Sequence, residues 1–345
     1  MFAISRKEVA RLAGVSEATV SRVLNNVGPI KPETRDKVLQ AASEVGYVPS
    51  ALAQQFARKK SDNVGVILPF VPKVQLFSTF YFSQILSGIG EAAQKHGYNL
   101  LLIFRDPAGN RNYSHLFRAQ KIDACIMLGS SDSEEERIAL AELEREKFPF
   151  CLVNQQYSEE NYNTVDADHV TGSYEAVKHL ITGGHQRIAF INGPIQFSNS
   201  NDRFRGYRQA LIDAKLPVDN ELVFSGNYSR TSGLQLAPEL ARRIKDNQIS
   251  AIFAANDRMA IGVMNGLVPF GLVAGRDYGL VGYDNSDGAK IVTPSLSTVT
   301  VPFYEMGQQA MEILVADLNK KTAQQQRMTA NKVLLPVAFI KRETS

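Results

Sequence analysis

Cysteine is scarce in this chain: only Cys125 and Cys151 occur, each inside a strand-like apolar run, which excludes a disulfide framework and a cysteine-built structural metal site. No apolar run approaches the ~18 to 20 residues needed to cross a bilayer. Arg6, Lys7, Glu8 and Arg11 stand where a signal peptide would have its apolar stretch, so a soluble cytoplasmic protein is expected. Low-complexity tracts are missing, and 44% hydrophobic with 21% charged residues is the composition of folded domains rather than of disorder. A nucleophile elbow and a phosphate-binding P-loop are also missing, so no enzyme activity, catalytic residue, metal or cofactor is expected. At 345 residues, two or three domains are expected.

The formal charge of +3 is unevenly placed. Through Lys60 there are ten Lys and Arg against five acids, a charge of +5, leaving 28 basic and 30 acidic groups, or −2, for the remaining 285 residues. A basic head on a near-neutral body suits a polyanion partner for the head alone. An ordinary basic surface would give the same balance, so charge alone does not decide.

Residue spacing in the head is more informative. Val9, Leu12 and Ala13 recur at helical spacing, Gly14-Val15-Ser16 interrupts, and Val20, Val23 and Leu24 resume it. Gly14 can end the first helix in a left-handed conformation and Ser16 can cap the second. Pro32 opens a third helix that turns Val38, Ala42 and Val45 inward and stops at Gly46. Three short helices with a Gly-containing turn between the first two make a helix-turn-helix unit. The outer face of the second helix carries Ala18, Ser21, Arg22 and Asn25, short side chains except one. Such a face can lie deep in a major groove while Arg22 reaches a base edge, with Ser16, Thr19, Ser21 and Asn25 available for phosphates. A small polar helix facing water is the plainer alternative.

Val9-Ala10-Arg11-Leu12-Ala13-Gly14-Val15-Ser16, followed by Ala18-Thr19-Val20-Ser21-Arg22-Val23-Leu24-Asn25, closely resembles the signature of the lactose/galactose repressor (LacI-type) family. The similarity continues through Gly46-Tyr47-Val48-Pro49 and along essentially the whole chain. In that family the positions of Glu17, Ala18 and Arg22 discriminate operators; Glu17 either accepts from a cytosine amino group or turns away from the DNA. The resemblance further implies a hinge helix from Ser50 to Arg58, with Ala53 and Phe56 at the minor groove. Phe56 stands where the family places a wedging leucine.

From Asn63 onward, strand-length apolar runs alternate with amphipathic stretches, as in parallel sheets with helical crossovers. The resemblance implies the fold: a three-helix helix-turn-helix head plus hinge helix, then an α/β periplasmic-binding-protein-like effector domain of two doubly wound parallel-sheet subdomains. The implied boundaries are 1–48 for the head, 49–60 for the hinge and 61–345 for the effector domain, whose subdomains comprise 61–162 with 293–320 and 163–292 with 321–345. The final strand is expected from Val333 to Arg342. The chain ends soon afterwards without a leucine-repeat tail, so a homodimer is expected.

Ligands of doubly wound sheets sit beyond the carboxyl ends of the strands. The residues there include Phe80, Tyr81, Phe82, Arg105, Ser130, Asn154, Arg203, Tyr228, Asn256, Asp257 and Asp284. Aromatics mixed with an Arg, an Asp and amides suit a polyhydroxylated ring. The resemblance assigns effector binding to Phe80, Phe82, Asn154, Arg203, Tyr228, Asn256 and Asp284, through Arg203-Phe204-Arg205-Gly206-Tyr207, Gly226-Asn227-Tyr228, Ala255-Asn256-Asp257 and Gly282-Tyr283-Asp284. Asp257 and Ser229 also read as helix N-caps. Arg203 is the one well-supported cation of this cleft, which favours a mono- or disaccharide, while Arg105 keeps a phosphate in play.

Two motifs point elsewhere. Gly88-Ile89-Gly90-Glu91-Ala92-Ala93 fits a dinucleotide fingerprint, but within a helical pattern, where close helix packing explains it better. Asp166-Ala167-Asp168-His169 offers acids beside a histidine, and reads instead as a strand end entering a helix cap. The expectation is a dimeric repressor of a carbohydrate-utilisation operon that binds palindromic operator DNA under a sugar effector. A catabolite-control-type regulator with a phosphoprotein or sugar-phosphate co-regulator is the alternative, from the similarity of Val301 to Lys321.

Overall fold

The computed structural model describes residues 5–25, 27–48, 60–71, 75–105, 111–320 and 330–345. Ala53 and Phe56 of the expected hinge lie outside them. The head comprises α1 (Arg6–Ala13), α2 (Glu17–Leu24) and α3 (Pro32–Glu44). Gly14 takes φ 64° at the end of α1, a left-handed turn that glycine makes without a Cβ clash. Ser16 then caps α2 by accepting from Thr19 N at 3.1 Å. Val9, Val20, Val23 and Val38 close a small apolar centre, each withdrawn valine contributing roughly 1.5 to 3 kcal/mol. Leu12 does not join it: the two-turn helix buries Val9 and Ala10 and leaves Leu12 44% exposed on its flank.

The body is built on two parallel sheets. The six-stranded first sheet runs β11 (Lys332–Leu335), β5 (Asn163–Ala167), β4 (Phe150–Val153), β3 (Ala124–Leu128), β1 (Asn63–Pro69), β2 (Asn99–Arg105). The second runs β7 (Val223–Ser225), β6 (Ile188–Asn192), β8 (Ala251–Ala254), β9 (Gly279–Val281). β10 (Thr298–Thr300) and β12 (Ala338–Ile340) form an antiparallel pair beside the second sheet. Every residue of β3, β4, β6 and β8 is buried, which explains their unbroken apolar runs: helices cover both faces.

The chain exchanges between sheets later than the family pattern implied. β5 pairs with β4, and β11 pairs with β5, so both belong to the first sheet although they follow Tyr162 and Lys321. The crossings fall at Asp168, near Val301 and around Pro336. Pro336 also breaks the expected Val333–Arg342 strand: it has no N–H for a ladder, and the chain passes there from β11 in one sheet to β12 beside the other.

Gly88 belongs to helix packing. A Cβ at Gly88 would meet the Tyr304 carbonyl oxygen at 1.9 Å, and one at Gly307 would meet that of Ile85 at 2.2 Å, so helices Phe80–His96 and Phe303–Leu318 touch through their backbones. Asp168 caps helix His169–Thr182 by accepting from Thr171 N, completing the strand-to-cap reading of residues 166–169. Among the described residues, no helix is long and apolar enough to cross a membrane, and no group of His, Cys, Asp and Glu is arranged to hold a metal ion.

Candidate functional site

The head presents α2 with Glu17, Ala18 and Arg22 exposed and its valines turned inward. Its small polar groups hold one another. Ser16 Oγ lies 2.9 Å from Thr19 Oγ1, and Asn25 Nδ2 donates to Ser21 Oγ at 3.1 Å. The Arg22 guanidinium folds across Gly28 and donates to the Pro29 carbonyl at a long 3.4 Å. That bond is weak enough to be exchanged for a better acceptor.

The second candidate lies between the sheets, beyond their carboxyl ends. A cavity of about 500 Å³ is lined by Phe80, Phe82, Asn154, Arg203, Tyr228, Asn256 and Asp284 together, joined by Tyr81, Phe197, Phe303, Asn199 and Arg258. Phe80, Tyr81 and Phe82 open the helix after β1, and Asn154 follows β4 directly; these form the first-sheet wall. The other wall comes from the second sheet: Arg203 from helix Ser198–Asp213, Tyr228 after β7, Asn256 after β8 and Asp284 after β9. A ligand of sugar size would touch both walls at once.

Arg203 is 3% exposed. Its Nη1 donates to the Ala255 carbonyl at 2.6 Å, its Nη2 lies 3.8 Å from Asp284 Oδ1, and its guanidinium carbon sits 4.2 Å from the Tyr283 ring centre. Its Nε has no hydrogen-bond partner. Tyr228 donates to Asn199 Oδ1 at 2.7 Å and lies 2.5 Å from Ser200 Oγ, which fixes its ring over Gly193, where a Cβ would strike the ring. Asn154, Tyr228 and Asp284 all take positive φ, of 61°, 63° and 110°. Such backbone is costly outside glycine and clusters at functional sites, so finding three in one cavity marks it as more than a packing gap.

Burial pushes the Asp284 carboxyl well above its ordinary range, with Arg203 pulling against that shift and Asp257 adding to it. Asp257 itself is pushed by burial up to about 6, although Thr298 Oγ1, Ser286 N and Ser286 Oγ all donate to it. Behind the cavity, His169 Nε2 lies 2.7 Å from Asn154 Oδ1 and Nδ1 lies 3.2 Å from the Tyr283 hydroxyl. A neutral ring donating to the amide oxygen and accepting from the phenol satisfies both contacts, and burial, followed by the Arg203 charge, lowers the imidazole below its usual value.

Three expectations need correction. Arg105 and Ser130 do not reach the cavity: both bind the buried Glu136, Arg105 Nη1 at 2.8 Å and Ser130 Oγ at 2.8 Å, and Arg105 Nη2 donates to the Gly129 carbonyl. The cap of helix Asp257–Leu267 is Asn256, whose Oδ1 accepts from Met259 N at 2.9 Å; Asp257 follows it, while Ser229 does cap its helix. Arg203 is also not the sole cation, because Arg258 lines the same cavity. Asn199 and Phe197 went unnoticed because they open a helix before the Arg203 motif. Arg258 is the unassigned letter inside Asn256-Asp257-x-Met259, and its position just past β8 could have flagged it.

The family pattern for bacterial regulatory proteins, lacI family, matches residues 6–50, and that for a periplasmic binding protein-like domain matches residues 177–345. The chain is 33% identical over 319 residues to the catabolite control protein A of Priestia megaterium, spanning 91% of this chain and 92% of that one. Among solved structures it resembles the Lac repressor dimer bound to operator and the anti-inducer ONPF, with a TM-score of 0.81, 28% identity and 99% of both chains covered. It also resembles the complex of the transcriptional regulator CelR with cellobiose, with a TM-score of 0.74, 28% identity, and 99% of this chain and all of that chain covered.

Proposed function

The chain belongs to the lacI family of bacterial regulatory proteins, and from that premise we propose that it represses a carbohydrate-utilisation operon, leaving a palindromic operator when a sugar fills the cavity. It is a DNA-binding transcriptional regulator, and it works in the cytoplasm as a homodimer whose two heads read the two half-sites. Residues 1–48 form the head, 49–60 the hinge and 61–345 the effector-binding and dimerisation domain.

Glu17, Ala18 and Arg22 meet base edges, and Ser16, Thr19, Ser21 and Asn25 meet phosphates. Ala53 and Phe56 approach the minor groove between half-sites. In the cavity, Phe80, Phe82 and Tyr228 offer ring faces to a mono- or disaccharide, while Asn154, Arg203, Asn256 and Asp284 take its hydroxyls. The single observation that carries the reading is that residues of both sheets line one cavity. A ligand bound there changes the angle between the sheets, and coupling that change to the heads requires ~1 to 3 kcal/mol.

The test is fluorescence anisotropy with duplexes selected from a random pool by the purified chain. An inverted repeat should emerge, bound far more tightly than bulk duplex, and one sugar of a panel should release it. Arg22→Ala should weaken that binding by roughly 1 to 3 kcal/mol while sparing random DNA. Equal loss on both DNAs removes Arg22 from base reading. The similarity to catabolite control protein A favours a second reading, a co-regulated catabolite regulator. On helix Phe303–Leu318, which carries that similarity, Glu312 is paired with Lys95 and His96, each at 2.9 Å.

A further inference from the structure

The polar lining of the cavity is unbalanced in charge. Among the described residues, two arginines, Arg203 and Arg258, line it with a single acid, Asp284, which lies 3.8 Å from Arg203 Nη2 and feels the Arg258 charge. Arg203 is engaged with Ala255, Asp284 and the Tyr283 ring, yet its buried Nε is unpartnered. The side chain of Arg258, half-buried at the second position of helix Asp257–Leu267, makes no hydrogen bond or ion pair among the described residues. Burial and then the neighbouring Arg230 charge disfavour its cation, while Asp284 favours it. An unpaired charge at a partly desolvated wall is costly, and a ligand anion removes that cost with charge-assisted bonds.

We propose that the effector is a sugar acid, a polyhydroxylated ring whose carboxylate is held by Arg258 while its hydroxyls meet Arg203, Asn256 and Asp284. This rests on the reading of the cavity as a carbohydrate site and adds the charge of the ligand to it. A planar guanidinium with free donors matches a carboxylate in bidentate fashion. With Asp284 already beside Arg203 at 3.8 Å, Arg258 is, among the described residues, the one cavity cation left for a ligand anion, which suits a singly charged carboxylate better than a phosphate dianion. The aromatic side chains Phe80, Phe82 and Tyr228 leave the rest of the ring a largely apolar bed.

The experiment is titration calorimetry on the purified full chain with matched pairs: D-glucuronate against D-glucose, D-galacturonate against D-galactose, and glucose 6-phosphate as the alternative anion. One acid should bind roughly tenfold or more tightly than its neutral parent. R258Q, which keeps an amide donor without the charge, should bring that ratio to within about twofold, and R258K should restore part of it. A neutral hexose that binds as well as its acid, or a ratio untouched by R258Q, overturns the proposal. Tighter binding of the sugar phosphate overturns the carboxylate assignment. If no sugar of either charge binds while operator binding persists, the carbohydrate reading of the cavity fails and this proposal falls with it.

Discussion

His169 stands between the first crossing of the chain and the floor of the cavity, touching Asn154 on one side and the Tyr283 phenol on the other. Tyr283 carries the Arg203 guanidinium, so the imidazole positions two cavity residues without entering the cavity. Because folding lowers its pKa below the ordinary 6.5, the unfolded chain takes up the proton first. Its contribution to stability is therefore complete above about pH 6.5 and shrinks as pH falls toward the folded value, by up to ~1.4 kcal/mol per pH unit. Urea unfolding of the native chain and of His169→Phe should differ by about 1 to 3 kcal/mol at pH 7.5, since the variant leaves an amide oxygen and a phenol unpaired. The difference should narrow at pH 5. A constant difference at both pH values would show that the histidine titrates alike in both states. Arg203, Asn256 and Asp284 are legible in the sequence because they sit in recognisable strings, Asn256 and Asp284 just past strands and Arg203 on the helix that follows β6. Tyr228 is legible as an aromatic but not in its left-handed backbone, which depends on the Ser200 and Asn199 contacts brought from another element.

Helices Phe80–His96 and Phe303–Leu318 lie more than two hundred positions apart in sequence, and Gly88 and Gly307 let them meet. The two glycines of the false fingerprint make a matched test. Gly88→Ala forces a methyl group into the Tyr304 carbonyl and should cost roughly 1 to 3 kcal/mol or more. Gly90→Ala meets nothing within 4 Å and should stabilise the helix by up to about 1 kcal/mol. Thermal unfolding of the two variants checks this; opposite signs are required, and equal effects would mean that helix propensity alone governs both. Strands such as β3 and β6 are readable from sequence because burial on both faces writes a continuous apolar run. The crossings are not, because which sheet a strand joins is decided by pairing partners far away in the chain: β11 finds β5 across more than 160 positions, and the local composition of either is silent about it.

For the whole molecule, the charge division is also a division of labour. In the proposed reading the +5 head meets a polyanion, and the cavity in the near-neutral body controls whether it stays. Counterion release makes operator affinity fall steeply with salt, by ~10³ to 10⁵ between 50 and 200 mM for six to ten phosphate contacts. Effector binding should carry little of that dependence, so the two sites are separable by salt. Coupling between them must nevertheless be reciprocal: if sugar weakens operator binding by some factor, operator weakens sugar binding by the same factor, typically ~5 to 150. Arg203→Ala cuts the bonds to Ala255 and Asp284 on the second-sheet wall. Its operator affinity without sugar should stay within about threefold of the native chain, a shift under ~1 kcal/mol, while release by sugar is lost. Anisotropy with and without effector measures both. Full release from the Arg203→Ala protein would place the effector elsewhere, and loss of operator binding without sugar would mean that Arg203 sets the angle between the sheets even before a ligand arrives.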